Sequence, residues 1–356
     1  MPEIETAEFR RRLLRWFDRY GRKDLPWQKS RSPYRVWLSE IMLQQTQVTT
    51  VIPYYRRFLK SFPGLKALAA ADINSVLELW SGLGYYARAR NLHKTARLIA
   101  GDYNGRFPKD MDSLVALPGI GRSTAGAILA FSYGQRYPIL DGNVKRVLAR
   151  MIALDQWTGS KEAMSVLWGW SEKLTPQKRV EDYTQAIMDL GAMVCTRSCP
   201  DCEHCPVSSM CLALTNNAVS SFPVPRAKRT KPSRSAVLLM IQNQSGDILL
   251  QQRPPTGIWG GLWSFPEIDR TRSMPDIRNW SRQNLGLDIQ VGEAWPEFVH
   301  RFSHYDLNIT PLPAKLSGAS GSLMETGATV WYNPKHKRDR GVARPVEKLL
   351  NELRNQ

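Results

Sequence analysis

The chain has 356 residues, of which 42% are hydrophobic, and it carries a formal net charge of +17 at pH 7. This length predicts two domains, and the hydrophobic content excludes general disorder. No apolar run reaches about eighteen residues, so we expect no membrane span. The N-terminal MPEIETAEFR lacks the apolar stretch of a secretory signal, which favours an intracellular, reducing compartment. The charge favours a polyanionic partner, with nucleic acid ahead of an anionic membrane surface.

The pattern of apolar residues changes along the chain and predicts where the domains begin. Periodic apolar segments interrupted by Gly and Pro predict a mainly α-helical domain over residues 1–222. The stretch PVPRAKRTKPSRSA that follows holds five basic residues, three prolines and no acidic residue. Such a composition does not bury a core, so it predicts a basic linker over 223–235. Residues 236–356 are predicted to form a smaller α+β domain.

Short elements with turn residues between them fill the C-terminal third. AVLLMIQNQSGDILLQQR predicts a β-hairpin with strands Ala236–Gln242 and Asp247–Arg253 around a turn at 244–246. Further strands are predicted from His300 and Ala328, and helices from Ile277 and Val346.

Two G-x-G elements, at Gly82/Gly84 and Gly119/Gly121, each precede a predicted helix. In the second, Pro118 ends the preceding helix and the glycines allow a tight hairpin. Backbone N–H groups at a helix start attract an anion, and a DNA phosphate suits such a site without reading sequence. The alternative is a plain helical hairpin whose glycines only turn the chain, and we favour that packing role for the first element.

Glu40 is the first candidate catalytic carboxyl. VWLSEIMLQQTQVTTV, from Val36, is strongly apolar and is predicted as one helix, which places Glu40, Gln44 and Gln47 on one face. A solvated face is the simpler interpretation for an isolated glutamate. Amides also suit hydrogen bonding to bases, and a glutamate beside so apolar a helix is expected to have a raised pKa, as a general acid needs.

Asp141 is the second candidate, placed just before a helix predicted to begin near Asn143. Aspartate is a favoured helix N-cap, and on its own that structural role is the better interpretation. The helix dipole would also keep the carboxylate ionised. One protonated and one ionised carboxyl is the arrangement that glycosidic-bond cleavage uses.

All five cysteines lie in CTRSCPDCEHCPVSSMC, from Cys195. In a reducing compartment such clustering favours metal binding over disulfides. Spacing does not choose between zinc and an iron–sulfur cluster. Two sets of four ligands are possible, one beginning at Cys195 and one at Cys199, each completed by Cys202, Cys205 and Cys211.

Several motifs together resemble a known family. LPGIG at 117–121, Asp141 about twenty residues later and the terminal cysteines resemble the helix–hairpin–helix DNA glycosylases of the endonuclease III superfamily. SEIMLQQTQV at 39–48, GLGYYARARNLH at 82–93 and LDGNVKRVLAR at 140–150 resemble the adenine DNA glycosylases of the MutY type. The resemblance covers nearly the whole chain.

The resemblance implies removal of adenine mispaired with 8-oxoguanine or guanine in double-stranded DNA, after the adenine is flipped out of the stack. It implies that Glu40 protonates the adenine at N7 and that Asp141 stabilises the oxocarbenium-like sugar. The residues it further implies at the DNA are Trp27, Asn143 and Gln185 in the adenine pocket, Gln44 and Tyr85 as wedges in the duplex, and Gly119, Gly121 and Ser123 at the helix–hairpin–helix.

Ser123 separates two branches of the superfamily. The lyase branch carries a lysine there that forms a Schiff base, which a serine hydroxyl does not form. We therefore expect a monofunctional glycosylase. A glycosylase/lyase for oxidised pyrimidines and a catalytically silent DNA-binding protein are the alternative functions; Glu40 and Asp141 argue against the silent protein.

The resemblance also supplies a cofactor and a second recognition domain. It implies a [4Fe–4S] cluster held by Cys195, Cys202, Cys205 and Cys211, in the part formed by residues 1–29 and 136–222, beside a six-helix part over about 30–135. Residues 236–356 resemble a Nudix domain, but IRNWSRQNLGL has no glutamate to hold Mg²⁺, so we expect no pyrophosphatase activity. Phe302, Ser303 and His304 match the loop that probes 8-oxoguanine. We expect a monomer without a membrane partner, in the cytoplasm of a bacterium and associated with its nucleoid.

Overall fold

The chain is described by a computed structural model over residues 5–227, 230–268, 273–302, 304–317, 328–335 and 340–355. It divides into two compact units. The first comprises Met1–Ala70 and Asn91–Lys228, and the second comprises Ala71–Arg90 and Arg229–Gln356. Within the described residues, no helix is both long enough and apolar enough to cross a bilayer.

The first unit is helical, as predicted. Its helices are α1 (Thr6–Tyr20), α2 (Pro33–Leu43), α3 (Val48–Ser61), α4 (Leu65–Ala70), the larger part of α6 (Ala87–Asp102), α7 (Met111–Val115), α8 (Arg122–Tyr133), α9 (Gly142–Met151), α10 (Lys161–Leu174), α11 (Val180–Asp189) and α12 (Leu212–Thr215).

Helix α8 is the centre of this unit. Its residues from Ala125 to Phe131 are all buried, which is possible because four of them are Ala or Gly. A Cβ on Gly126 would lie 2.5 Å from the carbonyl oxygen of Pro138, so only glycine lets the extended chain before α9 pass this close. That chain leads directly to Asp141.

The single helix predicted from Val36 to Val51 is wrong. Helix α2 is capped by Ser32 and ends at Leu43, and α3 begins at Val48 after a turn in which Gln45 has φ +58°. Gln44 and Gln47 therefore do not continue the face of Glu40. Gln44 is the C-cap of α2 and Gln47 is the N-cap of α3.

The predicted helix–hairpin–helix is formed by α7 and α8. Gly119 has φ +80°, and a Cβ there would lie 2.9 Å from the Cβ of Asn91, so the turn requires glycine. Ile120 is buried beneath the turn, and Gly121 is the N-cap of α8.

The second unit has the α+β character predicted for residues 236–356, and it also includes Ala71–Arg90, which the sequence placed in the helical domain. Its described strands are β1 (Ser233–Gln242), β2 (Ile248–Gln252), β3 (Trp263–Ser264), β4 (Glu267–Ile268), β5 (Ile289–Val291), β6 (Phe298–Arg301), β7 (Asp306–Leu316) and β8 (Thr329–Tyr332), and its helices are α5 (Ile73–Trp80), α13 (Met274–Leu285) and α14 (Arg344–Arg354).

One mixed sheet organises this unit. Strands β1 and β2 form the predicted hairpin, and β1 also pairs in parallel with β7 from Ser233–Asp306 to Gln242–Lys315. Leu239, Ile241 and Leu312 are buried on one face beneath α13. The stretch predicted as one strand from His300 is instead divided between the antiparallel strands β6 and β7; the connection between them, here called the β6–β7 turn, includes the described residues Phe302, His304 and Tyr305.

Candidate active site

Glu40 lies in the last turn of α2, partly exposed, while its neighbours Leu38, Ile41 and Met42 are fully buried. An ionised carboxylate loses hydration in such surroundings. Burial, assisted by the charge of Asp141, raises the pKa of Glu40 to about 8. Glu40 is therefore protonated at neutral pH and carries a proton that it can donate.

Asp141 is the N-cap of α9, as the sequence predicts. Its Oδ1 accepts a hydrogen bond of 2.8 Å from the backbone N–H of Val144, and its Oδ2 accepts one of 3.3 Å from Asn143 Nδ2. Burial raises the pKa of Asp141, while the hydrogen bonds and the charge of Arg146 lower it. The helix dipole and the N-cap hydrogen bonds favour the ionised carboxylate, as expected, but the loss of hydration on burial outweighs them and the pKa is raised.

The two carboxyls form an unequal pair. The charge of Asp141 contributes to the raised pKa of Glu40, so the two groups lie close enough to interact although 101 positions separate them in the sequence (141 − 40). Burial and the charge of Asp141 both act against ionised Glu40. Several donors favour ionised Asp141. The anion of the pair therefore resides on Asp141 and the proton on Glu40.

Asn143 links Asp141 to a guanidinium. While its Nδ2 donates to Asp141, its Oδ1 accepts a hydrogen bond of 2.8 Å from Arg146 Nη2. Arg146 also donates from Nε to the carbonyl of Cys195 at 2.7 Å and from Nη2 to that of Gly191 at 2.6 Å. The side chain of Asn143, which contacts Asp141, is thus held through Arg146 by the backbone of Gly191 and Cys195, where the cysteine loop begins.

A π-helical turn, Leu190–Val194, immediately precedes Cys195. π-turns occur disproportionately at functional sites. A Cβ on Gly191 would lie 2.6 Å from the Cβ of Asn143, so glycine is what allows this turn to reach α9.

Ser123 lies in the first turn of α8, and its Oγ accepts a hydrogen bond of 3.0 Å from the backbone N–H of Leu140. Leu140 immediately precedes Asp141, so the hydroxyl helps to hold the approach to α9.

The structure places Trp27 and Gln185 in the interior of the same unit. Trp27 is buried and contacts Tyr55 edge-on, with ring centroids 5.4 Å apart. The Nε2 of Gln185 donates to Oδ1 of the fully buried Asp189 at 2.8 Å. Arg22 donates to the same carboxylate from its backbone and its guanidinium. The Gln185 side chain is therefore held in place by Asp189, and its Nε2 already donates a hydrogen bond within the protein.

The two predicted wedges differ in setting. Gln44 in the first unit donates to Thr124 Oγ1 at 3.5 Å. Tyr85 in the second unit is 48% exposed and has φ +50°. Arg88 lies 5.4 Å from the Tyr85 ring and donates to the carbonyl of Gly84 at 3.1 Å, which fixes the Gly-rich turn beneath an exposed aromatic ring.

Four cysteines share one small cavity of about 30 Å³, which Cys195, Cys202, Cys205 and Cys211 line. Cys199 is exposed and does not line it. Burial raises the pKa of the Cys205 thiol to about 12, and such a thiol loses its proton only when a cation supplies compensating charge. Within the ranges that the structure describes, no three His, Cys, Asp or Glu side chains have the spacing of a metal site. The four thiols are suitable donors for a group held by thiolates, and they line one cavity, but their positions do not have the spacing of metal ligands.

Arg150 joins α9 to this loop. It is 2% exposed and donates to Cys195 Sγ at 3.2 Å, to Thr196 O at 2.7 Å, to Arg197 O at 3.0 Å and to Phe222 O at 2.9 Å. The buried guanidinium of Arg150 therefore links α9 to the cysteine loop through a sulfur and three backbone carbonyls.

An aromatic cluster surrounds the β6–β7 turn of the second unit. Phe302 stacks on Tyr305 at 4.6 Å between centroids and lies 6.1 Å from His304. Ser303 lies outside the described residues.

Sequence reasoning missed Arg146, Arg150 and Asp189. Arg146 and Arg150 are four positions apart on α9, so the sequence alone predicts that they share one face of the helix. Arginines on a short amphipathic helix are usually solvated, however, and nothing local distinguishes these.

Comparisons with known proteins agree with this architecture. A model described as "HhH-GPD superfamily base excision DNA repair protein" matches residues 38–173, and a NUDIX domain model matches residues 236–352. These matches confirm the predicted fold class, a helix–hairpin–helix domain followed by a Nudix-like domain.

Relatives align along almost the entire chain. Adenine DNA glycosylase of Buchnera aphidicola subsp. Baizongia pistaciae (strain Bp) is 38% identical over 351 residues, which cover 99% of this chain and 98% of the relative. Adenine DNA glycosylase of Homo sapiens is 32% identical over 414 residues, covering 99% of this chain and 75% of the relative.

Solved structures match the helical part. A thermostable thymine-DNA glycosylase superimposes with a TM-score of 0.55 and 26% identity, covering 59% of this chain and 97% of that one. A non-covalent endonuclease III–DNA complex, at TM-score 0.52 and 21% identity over 60% of this chain and 98% of that one, shares the fold.

Proposed function

Because the chain belongs to the adenine DNA glycosylase family and is an enzyme of base excision repair, we propose that its substrate is adenine paired with 8-oxoguanine or guanine in double-stranded DNA. The observation that carries the proposed chemistry is the carboxyl pair. Burial and the charge of Asp141 raise the pKa of Glu40 to about 8, while several donors favour the anion on Asp141. Hydrolysis of an N-glycosidic bond needs one group of each kind.

Glu40 is the proposed general acid. A proton delivered to N7 of the flipped adenine makes the base a better leaving group, and a carboxylic acid with a pKa near 8 retains that proton at neutral pH. The base must leave the stack to reach Glu40, and Gln44 and Tyr85 are the proposed side chains that fill the gap in the duplex. Trp27 and Gln185 are proposed to shape the pocket that receives it.

Asp141 is the proposed stabiliser of the positive sugar that remains. Its carboxylate is oriented by the Val144 N–H and by Asn143, which Arg146 fixes in turn. Water then completes the hydrolysis. The N–H groups of the hairpin at Gly119 and Gly121 are proposed to hold a DNA phosphate.

We propose that the enzyme releases the base without cutting the strand. Ser123 offers no amine for an imine, and its Oγ accepts the N–H of Leu140. A lyase would require another nucleophile.

The proposed cofactor is a [4Fe–4S] cluster held by the four cysteines that share a cavity. Such a cluster would cross-link the loop to α9 through Arg150, which already contacts Cys195. We therefore expect Cys202→Ser to lose bound iron and to unfold at a lower temperature, measured by iron analysis and thermal melting of the purified protein. Cys199→Ser is the matched control and should retain its iron, because Cys199 is exposed and away from the cavity. Equal iron loss in both variants would contradict this assignment.

The C-terminal unit is proposed to read the base opposite the adenine. Phe302 and His304 precede and follow Ser303 in the sequence. Phe302 stacks on Tyr305 and His304 meets Tyr305 edge-on, so both rings are held by the same aromatic side chain. The proposed division into a catalytic domain over 1–222 and a lesion-recognition domain over 236–356 follows from this assignment. A monomer acting at the bacterial nucleoid is the proposed state and place of action.

Single-turnover base release tests the proposed substrate. We expect adenine release from duplexes with A·8-oxoguanine and, more slowly, A·G, none from A·T, and strand breaks only after hot alkali. Breaks without alkali would indicate a lyase. Tight duplex binding without any release would favour the silent DNA-binding protein.

A further inference from the structure

The loop at Gly257–Gly261, between β2 and β3 of the C-terminal unit, holds a tryptophan in a strained conformation. Trp259 has φ +53°, in the left-handed region that bulky residues rarely adopt. Its side chain is nevertheless 92% removed from solvent (8% exposed). Backbone strain of this kind persists only where surrounding contacts impose it, and it concentrates at functional sites.

The surrounding contacts are tight. Arg253 donates from Nε to the carbonyl of Ile258 at 3.0 Å, and the N–H of Gly261 donates to the carbonyls of Arg253 at 3.2 Å and Pro254 at 3.0 Å. A Cβ on Gly260 would lie 2.6 Å from the carbonyl oxygen of Pro255, so the loop closes on itself too closely for any other residue.

The loop at Gly257–Gly261 also contacts the segment Ala71–Arg90, which belongs to the same C-terminal unit. Arg90 Nη1 donates a hydrogen bond to the carbonyl of Gly260. A Cβ on Gly261 would lie 3.6 Å from Leu77 Cδ1, so α5 packs against the loop. This gives the loop a fixed side that does not depend on its own strained backbone.

On its other side, Trp259 supports the β6–β7 turn. Its ring centroid lies 5.5 Å from that of Phe302 and 5.6 Å from that of His300, and His300 meets Phe302 edge-on at 4.6 Å. Phe302 is thus held by Trp259, His300 and, through stacking, Tyr305. Offset and edge-on ring pairs fix relative orientation as well as burying area.

We propose that Trp259 is a positioning residue for opposite-base specificity: it is buried in the unit that does not contain Glu40 and Asp141, and it holds Phe302 so that the β6–β7 turn distinguishes 8-oxoguanine from guanine. This inference rests on the proposed function of that turn. Glu40 and Asp141 belong to the other unit, so loss of the Trp259 ring should change which opposite base is preferred and leave the chemistry of adenine release unaltered.

The experiment compares single-turnover release of adenine from A·8-oxoguanine and A·G duplexes. Trp259→Leu keeps an apolar side chain but removes the ring, and we expect it to lower the ratio of the two rates about tenfold, with the A·G rate unchanged within about twofold. Trp259→Phe, which retains an aromatic ring, should keep most of the ratio. His300→Ala removes a second ring from Phe302 and should lower the ratio in the same direction even if Trp259→Leu fails to fold.

Trp280→Leu is the matched control, because Trp280 is a partly buried tryptophan of the same unit that packs against its main core. It should lower the melting temperature without changing the ratio. The inference is overturned if the ratio of the A·8-oxoguanine rate to the A·G rate is unchanged in both Trp259→Leu and His300→Ala. It is also overturned if Trp280→Leu changes that ratio equally. In either case a wild-type enzyme that prefers 8-oxoguanine still supports the proposed function. A wild-type enzyme with no such preference removes both.

Discussion

Glu40→Gln should lose adenine release while keeping the fold and duplex binding. The amide has nearly the same shape as the acid but no proton of suitable acidity, and removal of a general acid typically costs about 10²–10⁴ in rate. We expect a fall of about a thousandfold or more in the single-turnover rate on an A·8-oxoguanine duplex, with a dissociation constant within a few fold of wild type.

The same substitution should stabilise the protein. The pKa of Glu40 rises from 4.5 to about 8 on folding, so its contribution to stability is fully present below pH 4.5 and is lost as the pH rises through about 8. Glutamine does not titrate. Relative to wild type, the variant should gain nothing below pH 4.5 and up to about 3 kcal/mol at pH 7, measured by denaturant unfolding at both pH values.

Glu162→Gln is the control for both effects, because Glu162 is an exposed glutamate in the first turn of α10. It should leave the base-release rate and the pH dependence of unfolding as they are in wild type. A Glu40→Gln protein that releases adenine at the wild-type rate would remove Glu40 from the chemistry.

Asp141→Asn is expected to have the second largest effect. Asparagine caps a helix as well as aspartate does, so α9 should retain its N-cap. The neutral amide leaves the developing positive charge on the sugar without a counter-charge, and charge stabilisation of this kind is worth about 10²–10³ in rate. Single-turnover release should fall by at least about a hundredfold.

Asp110→Asn provides the matched control. Asp110 is also a helix N-cap of the same unit, accepting the N–H of Ser113 at 2.8 Å, but it is exposed. Its variant should match wild type in rate. Similar rate losses in both variants would show that capping, and not the charge of Asp141, is what release requires.

The sequence predicted the parts of the site that depend on local chemistry. Asp141 precedes a helix, and its role as the N-cap follows from residue type alone. Glu40 lies in an apolar helix, which was enough to expect a raised pKa. Gly119 occupies the left-handed turn that its motif requires. In each case the residue type and its immediate neighbours along the chain were enough to make the prediction.

Features set by distant contacts were not predictable. The break after Leu43 contains Gln-Gln-Thr, with no Gly or Pro to mark it, so the helix appeared to continue through Gln47. The turn between β6 and β7 likewise has no Gly, Asn or Pro. Helix packing brings Glu40 near Asp141 and Arg146 into contact with Asn143. The periodicity of apolar residues along the sequence gives no information about that packing.

The central claim is that Glu40 delivers the proton, and the pH dependence of kcat/KM for an A·8-oxoguanine duplex tests it most directly. This ratio reports groups of the free enzyme. Since the pKa of Glu40 is about 8, the ratio should hold through neutral pH and fall tenfold per pH unit above about 8, with duplex binding measured at each pH to separate affinity from chemistry. On the acid side it should fall at a pH above the usual range for aspartate, because burial raises the pKa of Asp141. A ratio that already declines above pH 4.5, or that stays constant to pH 10, would contradict the assignment of Glu40 as the acid.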